Sequence, residues 1–209
     1  LDVGGDHRAR AAQFFRQQLS AQTAAAATAR AYVSGRGLAR ETIEEFGIGF
    51  APHSAALLSR ELMNAGFRIS DIERAGLTFK TERGTYWDRF RDRIMFPIHN
   101  HFGKVVGFTG RIMPTESDAS ARAAVAGLAG AKYVNSPETP IFNKSKILFG
   151  FSRTKNDIRD AKAAVLVEGQ MDFLMSWQDG VRNVVATSGT ALTPEHVKSL
   201  RRLAETLVV

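Results

Sequence analysis

The chain has 209 residues, 44% of them hydrophobic, with 28 Lys and Arg against 21 Asp and Glu, a net charge of +7 and a pI near 10.0. This length admits one large domain or two small ones around a buried core, and the basic balance favours polyanionic partners such as nucleic acid, nucleotides or an anionic membrane without choosing among them. The absence of cysteine excludes disulfides and Cys-ligated zinc within the chain and fits a reducing compartment. No stretch approaches the ~20 apolar residues of a membrane helix, and the charged opening LDVGGDHRARAAQFF is not a secretory signal.

Residues 6–33 lack Pro and internal Gly and carry a helical stripe of Ala11, Phe14, Phe15, Gln18 and Leu19. Ser34-Gly35-Arg36-Gly37 interrupts it, and residues 38–46 form a short helix closed by Gly47. Ser54 is placed to cap a helix running to Asn64, and Ser70 to cap another, with Glu73 at capping-box spacing. The character then changes: residues 93–98 (RIMFPI) and 104–110 (KVVGFTG) predict two strands joined by the turn residues His99 to Gly103. Gly107 and Gly110 leave room for another group to come close. Residues 114–131 are rich in Ala, Ser and Gly and read as a loop insertion, with a helix over 119–128 as the competing reading. The following KYVNSPETPIFNKSKILFGF, with two prolines, reads as an ordered loop without regular structure.

The last fifty residues alternate. Residues 163–167 form an apolar strand, 171–178 a helix ended by Asp179-Gly180, and 183–187 a second strand. Thr193 then caps a helix with Pro194 at its first position, and Leu207-Val208-Val209 open a third strand. This β-α-β-α-β order predicts a parallel sheet with right-handed crossovers, with ligands at the carboxyl ends of its strands.

Glu168 sits at such an end, and Asp172 follows in the first turn of the next helix, with Gly169 allowing the turn between them. Two carboxylates facing one crevice suit a hard divalent cation that also takes phosphate oxygens; the helix dipole alone would equally stabilise them there. Residues 80–111 interleave seven Lys or Arg with aromatics, a composition suited to single-stranded nucleic acid, although most of those aromatics read as core residues and the arginines as a solvated face. Lys132, Asn135, Lys144 and Lys146 could meet phosphates or a sugar, or be solvated on a stiff loop. His99 and His101 are read as solvent-facing, with no zinc assigned, and no P-loop or dinucleotide fingerprint is present.

Together, YVSGRGLARETIEEFGIGFAP, RFRDRIMFPI, GKVVGFTGRIM, KYVNSPETPIFNKSKILFGF, VLVEGQMD and VVATSGTALTPEHV resemble, in order, segments of the bacterial DnaG-type DNA primase family. The EGxxD element is shared with topoisomerases, recombination proteins and nucleases of the Toprim fold; KYVNSPETPIF is the more specific. The resemblance implies an α+β amino-terminal part of the primase catalytic core over residues 1–151, then an incomplete α/β Toprim fold over 162–209. It implies DNA-templated synthesis of RNA primers from ribonucleoside triphosphates, with Glu168 as catalytic acid and Mg²⁺ (or Mn²⁺) ligand and Asp172 as its companion. Lys132, Asn135, Lys144 and, by their charge, Lys146 would line the nucleotide and template site, and Arg93 and Arg111 the template groove. Gly189 and Thr190 match the turn after the second Toprim strand.

On the same resemblance, further metal ligands, an Asp-x-Asp pair just after the third strand, are expected beyond Val209. A Cys/His zinc module and a helicase-binding domain likewise lie outside this chain. The chain, which begins at Leu1 and not Met, is therefore expected to be a fragment, weak in metal binding and inactive alone. Single-stranded DNA, ribonucleotides and a replicative helicase are the implied partners, in the cytoplasm at the nucleoid, without a membrane. A different Toprim enzyme, topoisomerase or nuclease, and a non-catalytic single-strand binding module remain the rival readings.

Overall fold

The computed structural model describes residues 7–113 and 131–209. The loop read over 114–131, except Ala131, and the competing helix over 119–128 lie outside the described residues.

The single helical run expected over 6–33 divides into α1 (His7–Ser20) and α2 (Ala24–Gly35). Thr23 is the cause: its hydroxyl accepts from the Ala26 amide at 3.2 Å and starts a new helix. Arg30 on α2 reaches back to the carbonyls of Leu19 and Ala21, at 2.7 and 2.9 Å, and so satisfies acceptors left open where α1 ends. After α3 (Arg40–Glu45) and β1 (Gly49–Ala51), helix α4 (Leu57–Asn64) starts later than Ser54 would place it. Ser54 Oγ instead accepts from the Ala56 amide at 3.3 Å. The cap of α4 comes from buried Asp88, thirty residues on, which accepts from the Leu58 and Ser59 amides at 2.8 and 3.0 Å. Ser70 lies inside α5 (Ile69–Arg74) and does not cap it.

Strands β2 (Thr78–Lys80) and β3 (Tyr86–Asp88) form a small hairpin. The main antiparallel sheet has the order β1-β4-β5-β6, with β4 (Arg93–His99) and β5 (Val105–Ile112) as its buried centre, which is the expected hairpin. Strand β6 (Tyr133–Asn135) corrects the reading of KYVN as irregular: it pairs with β5, Thr109 opposite Asn135. Gly110 is required by close approach, since a Cβ there would lie 2.9 Å from Arg93 Cδ.

The parallel unit is as expected. Helix α6 (Phe151–Ala161) leads into β7 (Ala163–Val167), α7 (Gln170–Gln178), β8 (Val184–Ala186), α8 (Pro194–Arg201) and β9 (Thr206–Val208). The strand order is β8-β7-β9, all parallel. The third strand differs from its expected place over 207–209 by one residue. Its pairing with β7 runs from Thr206, opposite Ala163, to Val208, opposite Val165, so Val209 lies one residue past the strand and is 89% exposed. One apolar core joins this unit to the antiparallel sheet: Ile94 and Phe96 share a cluster with Phe149, Phe173, Trp177 and Ala186. Phe149 also exchanges backbone hydrogen bonds with Ala186, at 2.8 and 3.1 Å, along the outer edge of β8. Gly150 follows with φ of +82°, where a Cβ would meet Phe173 Cε2 at 2.0 Å; only glycine fits that backbone and that space.

Candidate carboxylate and nucleotide site

The carboxyl ends of β7 and β8 form a crest. Glu168 leaves β7 exposed to solvent, not turned into the apolar interior. Asp172 is also exposed, in the first turn of α7, and its Oδ2 comes within 3.1 Å of the position a Cβ would take on Gly169. The Asp172 carboxylate thus folds back over the turn that carries Glu168. Between them Gln170 is only 2% exposed, and its Nε2 has no hydrogen-bond partner among the described residues. The turn after β8 is pinned to this crest: the Gly189 amide donates to Glu168 O at 3.2 Å and Thr187 Oγ1 to the same oxygen at 3.4 Å. Ser188 holds a φ of +61° there, a strained conformation for a residue with a side chain, and Thr190 Oγ1 closes the turn on Thr187 O at 2.7 Å.

Thr187 and Ser188 line a small niche with Asn135 and Lys144. The structure therefore brings two of the sequence-chosen polar residues to the crest. Asn135 Oδ1 is buried there with no partner among the described residues, an acceptor awaiting a donor. Lys144 is placed by α8. His196 Nε2 lies 2.9 Å from Lys144 O, and Thr193 Oγ1 donates to Ser145 O at 2.6 Å. Lys146, two residues on, lines a different cleft with His99 and Arg202. Lys132 is exposed beside β6. His196 was not singled out in the sequence; its place three residues after the Thr-Pro cap was the available signal, since it completes a capping box with Thr193.

Arg93 and Arg111 do not present their charge to solvent. Arg93 is 5% exposed and donates through Nη1 to Gly110 O and Ala131 O, at 3.0 and 3.1 Å. Arg111 is 7% exposed and lies against Tyr32 and Tyr133, donating to both hydroxyls at 2.6 Å. Both guanidiniums fasten strands and helix together. Of the interleaved aromatics, Phe90, Phe96 and Phe108 are core residues, whereas the β2–β3 hairpin carries part-exposed pairs, with Arg89 over Phe79 and Arg91 over Trp87. His101 is solvent-facing as expected, but His99 is half-buried, and burial followed by the charge of Arg153 pushes its pKa down.

Glu168 and Asp172 are exposed oxygen donors that make no ion pair among the described residues, the chemistry Mg²⁺ accepts when phosphate oxygens complete its shell. No group of three or more His, Asp or Glu that could hold a metal occurs among the described residues. The further Asp ligands that the resemblance implies are not among the described residues. The carboxylate pair fits the ion as part of its coordination.

Residues 14–155 match the family model for the DNA primase catalytic core, N-terminal domain, and residues 162–209 that for the Toprim domain. A DNA primase of Enterococcus faecalis is 42% identical over 178 residues, covering 85% of this chain and 27% of the relative. The crystal structure of the RNA polymerase domain of Mycobacterium tuberculosis primase DnaG superposes with a TM-score of 0.83 at 38% identity, covering 94% of this chain and 60% of that one. A DnaG primase catalytic domain bound to ssDNA does so with a TM-score of 0.79 at 33% identity, covering 96% of this chain and 60% of that one. The chain thus spans 27% of the length of the Enterococcus relative. With both parts of the fold matched in order, the chain belongs to the bacterial DnaG-type DNA primase family, as a catalytic-core N-terminal domain followed by Toprim sequence.

Proposed function

We propose that this chain contributes the carboxylate crest and nucleotide niche of a primase that joins ribonucleoside triphosphates on a single-stranded DNA template. The observation that carries the reading is the convergence of Glu168 and Asp172 on one turn with the Thr187-Ser188 turn that shares a niche with Lys144 and Asn135. Glu168 and Asp172 would hold Mg²⁺ or Mn²⁺, together with acids beyond Val209, and the ion supplies charge neutralisation to a triphosphate in phosphoryl transfer. Lys144 adds a cation to the same phosphates, and Asn135 lies beside it in the wall of the niche. Gly189 and Thr187 hold the Glu168 backbone still, so that the carboxylate is preorganised. Template contacts fall to exposed or part-exposed cations, including Lys132 and the Arg89 and Arg91 pairs, and not to buried Arg93 and Arg111. The family's cytoplasmic setting and a helicase partner follow on the same reading. No helix among the described residues is long and apolar enough to cross a membrane.

The test is Glu168→Gln in a full-length chimera in which residues 14–209 replace the matching segment of the Enterococcus faecalis relative. Losing about 4 kcal/mol of charge stabilisation slows synthesis about a thousandfold, while template binding stays within twofold. Primer synthesis at the unsubstituted rate would sink the reading.

A further inference from the structure

Apart from the crest, the structure contains a cleft of about 330 Å³ between the β4–β5 turn, the 146–148 segment, the start of α6 and the end of α8. Lys146, Lys155 and Arg202 line it from three different elements, together with His99 and His101, and no acidic residue lines it. None of the three cations is in an ion pair among the described residues; Lys155 Nζ donates only to His101 O, at 3.0 Å, and keeps two further N–H groups. Three like charges in one concavity repel one another, and an anion relieves that repulsion. Phe151 and Leu203 give the same cleft an apolar wall. A volume near the lower end of ligand pockets, with few polar anchors beside an apolar surface, matches one nucleotide.

We infer that this cleft is a second anion site that binds the phosphates of a nucleotide, separate from the Glu168 crest. It shares Ile147 alone with the Asn135–Lys144 niche, so that the two sites stand back to back across one side chain. Lys144 and Lys146 serve opposite sides of that wall. The phosphates come from a free nucleoside polyphosphate or from a nucleic-acid strand, and the experiment separates these sources.

ATP is titrated calorimetrically into the 209-residue chain in EDTA, which silences any metal-dependent site. Lys155→Gln/Arg202→Gln weakens ATP binding at least tenfold, and Lys146→Gln alone at least threefold, whereas Arg60→Gln, exposed on α4 and lining neither site, stays within twofold of the unsubstituted chain. Circular dichroism confirms the fold of each variant, and Lys146→Gln carries the test if the double variant unfolds. Octathymidylate that displaces ATP, and loses its own affinity in the same variants, identifies a strand as a source; no displacement assigns the site to free nucleotide. The proposal falls if neither probe binds saturably, or if the cleft variants bind ATP as tightly as the unsubstituted chain. Because the readout is metal-free binding, that failure leaves the catalytic reading of Glu168 standing, and the failure of that reading leaves this site standing.

Discussion

His196 offers the sharpest test of how the niche is built. It is 0% exposed. Its Nδ1 faces the Thr193 amide at 3.4 Å and must accept, so Nε2 carries the proton and donates to Lys144 O at 2.9 Å. Only the neutral ring satisfies both partners. His196→Phe keeps an aromatic ring but leaves a part-buried amide and a part-buried carbonyl unpaired, each costing up to about 1–3 kcal/mol, or about 2–4 kcal/mol together once the looser contact at Thr193 is discounted. For a chain of this size the melting temperature then drops by roughly 5–15 °C. The pH dependence has a fixed sign. Burial lowers the His196 pKa, with the hydrogen bonds to Lys144 and Ile147 acting the other way. The unfolded chain takes up a proton near pH 6.5 while the folded chain does not, so this stability is fully present above that pH. It is lost as pH falls from about 6.5 toward the depressed folded value. His99, lowered by burial and by Arg153, acts in the same direction. The assay is thermal unfolding followed by circular dichroism from pH 5 to 8, with His196→Phe beside the unsubstituted chain and His99→Phe. The variant should melt lower at pH 7.5 and show a shallower decline below 6.5. Melting within 1 °C of the unsubstituted chain at pH 7.5, with an unchanged decline, would refute the argument that this imidazole holds the Lys144 segment.

Three further outcomes follow from packing and charge placement. Gly150→Ala forces a side chain into a left-handed backbone and against the Phe173 ring, so the urea midpoint should fall by the equivalent of about 2–5 kcal/mol; an unchanged midpoint would show that the two sheets are not locked at this point. Arg111→Met removes a buried guanidinium bonded to two tyrosines and should lower stability by about 2 kcal/mol or more without changing the salt dependence of single-stranded DNA binding. Lys132→Gln, exposed beside β6, should leave stability within ~0.5 kcal/mol and reduce the slope of log affinity against log salt by about 0.7. The reverse pattern would return Arg111 to the template surface.

The parallel unit was legible because each of its signals is local: an apolar strand, a glycine turn, a Thr-Pro helix start. Even the shift of its third strand, Val209 falling just past β9, is set by where β7 offers partners and not by the apolar run itself. The errors came from residues whose partners are distant in sequence. Ser54 and Ser70 have the right chemistry for caps, yet α4 takes its cap from Asp88, thirty residues on, and α5 starts without a side-chain cap. Tyr133–Asn135 reads as a loop because three residues followed by prolines carry no periodicity; the strand exists because β5 offers it an edge. The resemblance puts Arg93 and Arg111 in the template groove, and their burial is set by partners that spacing does not reveal. Arg111 is buried against Tyr32, 79 residues away, which no spacing rule reports. The carboxylate crest, by contrast, could be placed from the strand–glycine–helix order alone.

Lys144 and Lys146 looked equivalent in sequence, two cations on one stiff loop, and the structure separates them by what holds the segment. Helix α8 grips the carbonyls of Lys144 and Ser145 through His196 and Thr193, and the same helix ends beside Arg202 in the second cleft. The segment is therefore a thin wall clamped on its backbone, with one lysine on each side and Ile147 common to both. A phosphate bound by Lys146 pulls on the peptide whose other face positions Lys144. The two sites are joined by this wall through Ile147 and by β4, whose adjacent residues Ile98 and His99 line the niche and the cleft in turn. Loosening the wall by His196→Phe should then weaken the Lys144 niche and the Lys146 cleft together, whereas Lys155→Gln/Arg202→Gln should empty the cleft and leave the niche intact.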